Sequence, residues 1–367
     1  MNKKIKILVD GISSGLGGTG AVINNILTKI NRDLFEPVVL FTYDSVYEAI
    51  IAQEGFASFK ITPFGSNPFA YKKQLSKIFA EGKFDYVWVN NTSKVNMIIF
   101  DLAKKYGVKT IAHSHGESIE YGALKSAIFR IIERVNQRRF YKKLDIALSC
   151  SDNSAKYFYD ESKLGGKKVT ILGNAIDLEA YRYNDELRAQ YRDNFGWQDK
   201  IVIGTVGRLV PIKNQKVLIE AIKKVAQQYL LVIVGEGELH QRFDEIIQAE
   251  GLQDRVLLLG MRKDVAAILN SYDAFVLPSL SEGYCVSVVE AYANGLDCFV
   301  SDTVKNPSFD EITYLPCQDA EAWARAISTV QSRKNSDRVD LMKSQGLDLT
   351  SMVTKFQDLI LDDYKGR

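Results

Sequence analysis

The stretch Pro278-Ser279-Leu280-Ser281-Glu282-Gly283-Tyr284-Cys285-Val286-Ser287-Val288-Val289-Glu290-Ala291 holds two carboxylates at a spacing that a fold by itself does not require. Asp273 to Leu277 reads as the end of a buried strand and Val286 to Ala293 as an apolar helix, so Ser279 to Cys285 is a strand-to-helix loop. In an open parallel sheet such loops lie at the carboxyl ends of the strands, where ligands bind, and Gly283 would let a ligand approach the free N–H groups of the helix start. Taken alone, Glu282 is also what a helix N-terminus favours electrostatically. Glu290 is different, because Val288, Val289, Ala291 and Ala293 make its surroundings apolar and an acid there calls for a partner. Two such acids can work as an acid and base pair or as acceptors for ligand hydroxyls.

A second constellation follows another strand, Ile201 to Val206. Gly207-Arg208-Leu209-Val210-Pro211-Ile212-Lys213-Asn214 places two cations at that strand's carboxyl end. Arg208 offers a planar fork and Lys213 a mobile point charge, a pair suited to a diphosphate. Leu209 and Pro211 confine the loop, and Asn214 is expected to cap the next helix. Cations there and acids at Glu282 and Glu290 suit a ligand with phosphates and hydroxyls. Near the N-terminus, a strand (Lys4 to Val9) leads into Gly11 to Gly20 and then into the apolar pattern Val22, Ile23, Ile26, Leu27, Ile30, which is strand, glycine-rich loop, helix. Such a loop lets backbone amides close on an anion. Gly15 to Gly20 fits G-x-G-x-x-G, with Asp44 placed to end the next strand, Val38 to Tyr43, where a dinucleotide fold keeps its ribose-binding acid. Without Gly-Lys-Ser/Thr there is no P-loop. His113-Ser114-His115-Gly116 leaves the strand Lys109 to His113, and His115, further out and before a glycine, is the better candidate for ligand contact.

These loops must be held by alternating strands and helices. Strands at Asp85 to Val89, Asp145 to Cys150 and Val169 to Leu172, with a helix from Lys94 to Tyr106, complete a first series. After Asn174-Ala175-Ile176-Asp177 comes a polar, aromatic stretch, Leu178 to Trp197. A second series then runs through strands Ile201 to Val206, Leu230 to Val234, Val256 to Leu259 and Ala274 to Leu277, with helices from Asn214 to Gln227, Leu239 to Ala249, Val265 to Asn270 and Ala320 onward. The alternation predicts two doubly wound α/β domains, 1–180 and 181–349, with the amphipathic segment 350–367 packing back on the first. Between the strands of the first series, Ala123 to Leu144 interleaves Leu124, Ile128, Ile131, Ile132 and Val135 with seven cations and the single acid Glu133, a basic amphipathic helix that fits an anionic membrane surface, at about 1 kcal/mol per cation, or a solvated face.

The 367 residues suffice for two cores, and 47 basic against 45 acidic residues exclude a chain built for nucleic acid. No run approaches the roughly 20 apolar residues that cross a bilayer, and the run after Met1 is too short for a signal peptide. Cys150, Cys285, Cys298 and Cys317 form no CxxC pair, which fits reduced thiols in a cytoplasmic protein, and three histidines without ligand spacing give no metal site.

With Gly17-Gly18, His113-Ser114-His115, Asn174-Ala175-Ile176-Asp177, Gly207-Arg208-Leu209 with Lys213-Asn214, Gly235-Glu236-Gly237 and Glu282 with Glu290 as E-x7-E, the sequence resembles the GT-B glycosyltransferases of family 4, in particular the bacterial group that builds capsular and exopolysaccharides. The resemblance covers most of the chain. It implies two Rossmann-like domains facing across a cleft, the first on the acceptor side, and a retaining, metal-independent transfer from a nucleotide diphosphate sugar, UDP-linked by expectation. By it, Arg208, Lys213 and the amides of Gly17 and Gly18 hold the donor diphosphate and Glu290 accepts from the ribose hydroxyls. Glu282, with Gly283 and Tyr284 after it, positions the donor sugar, Met261 and Arg262 fall at the nucleobase, and His115 orients the donor sugar or acceptor. No cofactor beyond the donor is implied, and no Asp-x-Asp occurs. The acceptor is expected to be a saccharide, lipid-linked at the inner face of the membrane. Cys285 replaces the usual second glycine, Asp297 the usual proline, and Thr19-Gly20 the common Ala-Glu.

Two rivals stand beside this reading. A nicotinamide-dependent dehydrogenase would use Gly15 to Gly20 and Asp44, but leaves Arg208, Lys213, Glu282 and Glu290 without a task. A non-catalytic two-domain sugar-binding protein would need only a cleft.

Overall fold

A computed structural model describes residues 3–12, 18–91, 93–116, 123–304, 309, 311–333 and 337–366. The chain divides into two compact units, one made of Met1–Ala175 with Leu349–Arg367 and the other of Ile176–Asp348.

The first unit is built on seven parallel strands: β1 (Ile5–Asp10), β2 (Phe35–Phe41), β3 (Ala57–Lys60), β4 (Tyr86–Asn91), β5 (Lys109–Ser114), β6 (Ile146–Ser149) and β7 (Val169–Ile171). Their order in the sheet is β3-β2-β1-β4-β5-β6-β7, so the winding reverses between β1 and β4. Alternate residues serve opposite faces. Ile7, Val9, Trp88 and Ile111 pack under the helices Gly18–Lys29 and Leu349–Lys365. Leu8, Val87, Val89 and Ala112 pack under Pro68–Gly82, Ile98–Lys105 and the end of Ala123–Lys143. The terminal helix is fixed by Phe356, whose ring lies 4.6 Å from that of Trp88, and by Asp363, which accepts from Lys109 Nζ at 2.7 Å and Tyr86 Oη at 2.5 Å.

The second unit has six parallel strands: β8 (Ile201–Val206), β9 (Tyr229–Val234), β10 (Val256–Leu258), β11 (Ala274–Leu277), β12 (Asp297–Ser301) and β13 (Ile312–Leu315). The order β10-β9-β8-β11-β12-β13 reverses between β8 and β11. Ile176 and Leu178 already belong to its core, and Arg192 and Arg188 converge on the fully buried Asp273, whose Oδ2 also accepts from Val202 N–H at 2.7 Å. Both sheets are doubly wound α/β layers, the fold class expected.

Several expected elements are corrected. β2 ends at Phe41, before Asp44. The helix expected from Lys94 starts only at Ile98, because the Lys94 N–H donates to Glu133 Oε1 and the Ile98 N–H to Asn96 Oδ1. The helix expected over 214–227 is a 3-10 turn, Pro211–Lys213, followed by Lys216–Ile222. β3, β13 and the helix Pro68–Gly82 lay outside the expected series. The Pro68–Gly82 helix is opened by Asn67 Oδ1, which accepts from Phe69 and Ala70 N–H, and by Pro68 in its first turn.

Candidate active site

In the second unit the loops after β8 and β11 flank the point where strand order reverses, the usual crevice of such sheets. Leu280 N–H donates to Ile212 C=O at 2.8 Å, tying one loop to the other. Lys213 Nζ forms an ion pair with Glu282 Oε1, both side chains being nearly enclosed at 17% and 12% exposure. Ser279 Oγ donates to the same oxygen at 2.7 Å, while the Ser279 carbonyl is held by Ser301 Oγ and by Thr303 Oγ1 at 2.8 Å. Burial opposes the charge on Lys213, but Glu282 and Cys285 outweigh it, and the ammonium's pKa is raised. Lys213 is therefore a cation at every working pH. Arg208 is exposed, and its guanidinium has no hydrogen-bond or ion-pair partner among the described residues.

Asn214 is not the helix cap expected of it. Its backbone adopts φ +53°, a conformation that asparagine tolerates better than most residues, and its Nδ2 donates to Pro278 C=O at 3.2 Å and Cys317 C=O at 2.6 Å. It fastens the cation loop to the acid loop. Gln215 Nε2 holds Arg208 C=O at 2.9 Å. A third loop joins them through Gly235, where φ is +144° and a Cβ would lie 1.9 Å from Gly207 O, so only glycine lets the chains meet. Leu209 N–H then donates to Glu236 C=O at 2.9 Å.

Glu290 lies in the helix Val286–Ala293 and finds the partner its apolar neighbours call for: Tyr181 Oη donates to Oε1 at 2.7 Å. Burial nevertheless pushes its carboxyl up to about 7, against the lowering effect of that hydrogen bond. Tyr181 was not distinguishable within an aromatic stretch, because nothing local separates one tyrosine there from another. Gly283 and Tyr284 are half-buried in the loop. Cys285 is buried, its thiol pushed up to about 11 chiefly by burial, so it is inert packing. Met261 is 59% exposed, whereas Arg262 is engaged by Asp264 at 2.9 and 2.7 Å. Its guanidinium is therefore held in place.

In the first unit Gly17 lies outside the described residues, and Gly18 opens the helix Gly18–Lys29, whose first turn holds no acid. His113 is a core residue, stacked on Trp88. His115 stands 4.0 Å from it, ring to ring, and its Nε2 meets Asn90 Oδ1 at 2.9 Å. Asn90 Nδ2 donates to Asp10 C=O at 3.0 Å, so Oδ1 faces the histidine and Nε2 must carry the hydrogen. That leaves Nδ1 as an acceptor, buried and without a partner among the described residues. Burial lowers the imidazole to about 3, so His115 acts as a neutral group. Asp44 is corrected: its side chain is 96% exposed and paired with Lys60 of β3. Among the described residues no group of three or more metal-ligating side chains occurs.

The family model described as glycosyl transferases group 1 matches residues 188–340, and that of glycosyltransferase family 4 matches residues 16–180. The chain belongs to the family 4 glycosyltransferases. It is 26% identical to the Bacillus subtilis protein named glycosyltransferase EpsF over 316 residues, 82% of this chain and 80% of that one. With the Escherichia coli UDP-Gal:alpha-D-GlcNAc-diphosphoundecaprenol alpha-1,3-galactosyltransferase it shares 29% identity over 318 residues, 78% of either chain. The crystal structure of Anabaena HepE in complex with UDP matches with a TM-score of 0.81 at 17% identity, over 98% of this chain and all of that one, which establishes the GT-B fold. This family 4 chain is thus an enzyme, a glycosyltransferase of glycan synthesis.

Proposed function

We propose that this glycosyltransferase moves a hexose from a UDP-sugar to a hydroxyl of a saccharide acceptor, with retention at the anomeric carbon and without a metal. The observation that carries the reading is the braced pair Lys213–Glu282 at the switch point, beside Arg208, whose guanidinium is unpaired among the described residues. Cleavage of the sugar–phosphate bond leaves negative charge on the diphosphate, and fixed cations aimed there contribute most to lowering the barrier. Lys213 and Arg208 supply that charge; Glu282 holds Lys213 in place and accepts from the donor sugar. Glu290, oriented by Tyr181, accepts from ribose hydroxyls. Met261, Arg262, Gly283 and Tyr284 border the donor. The neutral Nδ1 of His115 accepts from a sugar hydroxyl. The donor assignment draws support from the UDP bound by Anabaena HepE and the UDP-galactose named for the Escherichia coli relative.

A diphospholipid-linked acceptor, named for that same relative, agrees with a surface on the first unit. The helix Ala123–Lys143 exposes Ile128, Ile131 and Val135, at 47, 65 and 71%, beside Arg130, Arg134 and Arg138, while Glu133 is turned inward to Ser93 and Lys94. On the same layer Pro68–Gly82 exposes Phe69 at 87% with Lys72, Lys73 and Lys77. We assign this layer to the anionic inner face of the cytoplasmic membrane. Among the described residues no helix is long and apolar enough to cross it.

One assay tests the reading: incubate the protein with a panel of nucleotide sugars and nicotinamide cofactors and follow nucleotide release by chromatography. UDP release is expected. Tight nicotinamide binding without sugar-nucleotide binding would sink the proposal, and binding without turnover would favour a sugar-binding module. Flotation with anionic and neutral vesicles tests the membrane face; equal recovery with both, unchanged by charge reversal at Arg130, Arg134 and Arg138, would remove it.

A further inference from the structure

Asp10 ends β1, directly at the switch between β1 and β4, in the same topological position that the cation loop occupies in the second unit. Strand alternation sends its side chain to the face of Leu8 and Val89, away from Trp88 and the two histidines. The backbone after it is fixed: Gly11 has φ +98°, and a Cβ there would fall 2.0 Å from Asn90 O. The carboxylate accepts from the Gly11 amide, and among the described residues no cation and no side-chain donor reaches it. The titratable group that faces it is Tyr71, from the helix Pro68–Gly82, whose hydroxyl is hydrogen-bonded to the Asn96 side chain. Burial, then the charge on Asp10, push that phenol up.

An enclosed carboxylate without a counter-ion works against folding. Burial raises its carboxyl to about 6, which still leaves it largely ionised at neutral pH, in a residue that is half-buried as a whole. A carboxylate so placed repels phosphate and accepts hydrogen bonds, so what satisfies it is a hydroxyl. We infer that Asp10, walled by Tyr71, receives a hydrogen bond from a hydroxyl of the saccharide acceptor, an assignment that rests on the transferase reading above. Asp10 is then an acceptor-binding residue at one switch point as Glu290 is a donor-binding residue beside the other.

The test uses the full chain with UDP-galactose and UDP-glucose as donors. The acceptors are N-acetylglucosamine, galactose and glucose, each linked through diphosphate to a short polyprenyl chain. Asp10→Asn should raise the acceptor KM about tenfold or more, and Tyr71→Phe by less. Donor KM and the slow hydrolysis of donor without acceptor should stay at the wild-type level, and the melting temperature should not fall. Asp10→Ser serves as a second variant if the amide does not fold. Wild-type acceptor KM in these variants, or equal losses for donor and acceptor together with a lowered melting temperature, overturns the assignment alone. A wild type that turns over no donor refutes the transferase reading, and this inference with it.

Discussion

The two units carry the same winding and reverse it at equivalent places, yet the groups they set there differ in kind. At the β8/β11 switch the chain places charge: Lys213 paired with Glu282, Arg208 exposed, and three loops stitched together through Asn214, Gly235 and Leu280. Around the β1/β4 switch it places, among the described residues, neutral or unpaired acceptors: Asp10 at the end of β1 with only a backbone donor, and, beyond β5 on the other face, His115 with its open Nδ1 and its Nε2 on Asn90 of β4. On the proposed function, the contrast follows from what each side binds. A leaving diphosphate needs fixed positive charge that does not reorganise during reaction, whereas hydroxyls need acceptors with free lone pairs.

The largest effect is expected at Lys213. Lys213→Ala should lower kcat/KM for any UDP-sugar by about 10²–10³-fold, measured by UDP release. The variant also leaves Glu282 enclosed and unpaired, so Lys213→Ala/Glu282→Ala is the necessary control. A double variant that regains wild-type turnover would reduce the pair to a brace; one that stays inactive keeps it in the chemistry.

Glu290 sharpens the same side. Glu290→Ala should weaken UDP-glucose binding by about tenfold by calorimetry, and Tyr181→Phe by a few-fold. Intact donor affinity in Glu290→Ala would contradict the role. The pH dependence has a fixed sign. With its carboxyl raised to about 7 in the folded chain, Glu290 binds hydroxyl donors best when ionised, so UDP-glucose affinity should rise between pH 6 and 8 and flatten in Glu290→Gln. Between its ordinary value and 7 the folded chain keeps a proton that the unfolded chain has released, so this group makes stability fall as pH rises. Glu290→Gln should therefore melt above wild type at pH 8, with the gap closing toward pH 5.

A smaller effect is expected where the switch point is neutral. Asn90→Leu removes the acceptor that fixes the His115 tautomer and should cost about tenfold in kcat without shifting the pH profile between 6 and 8, since the imidazole titrates near 3. A new limb in that range would mean that His115 exchanges protons during turnover.

Sequence pattern reached the second unit's site more fully than the first's. Glu282, Glu290, Arg208 and Lys213 announce themselves because charge in an apolar or glycine-bounded loop is conspicuous. What pairs with what was not legible: Lys213 with Glu282 and Tyr181 with Glu290 are 69 and 109 residues apart, joined only when the sheet forms. Asn214 has the composition of a helix cap, but a left-handed backbone turned its amide to two carbonyls. Strands read well where apolar runs were long, as in β8 and β11, and failed at β3, whose four residues are all exposed. In the first unit Asp10 ended an ordinary strand, and only topology shows that the strand borders the switch.

Asp44 supplies the smallest effect and a control on the whole comparison. A dinucleotide-binding reading of the first unit requires an acid at the end of the second strand, turned toward the glycine loop. Asp44 instead lies beyond the end of β2, 96% exposed, with Lys60 holding its carboxyl below the usual range. An exposed ion pair of this sort contributes little. Asp44→Asn should leave melting temperature and UDP-sugar turnover unchanged, and neither protein is expected to bind a nicotinamide cofactor. If it abolished binding of a nicotinamide cofactor present in the wild type, the first unit would be a nucleotide site in its own right. The division of donor and acceptor between the two switch points would then have to be redrawn.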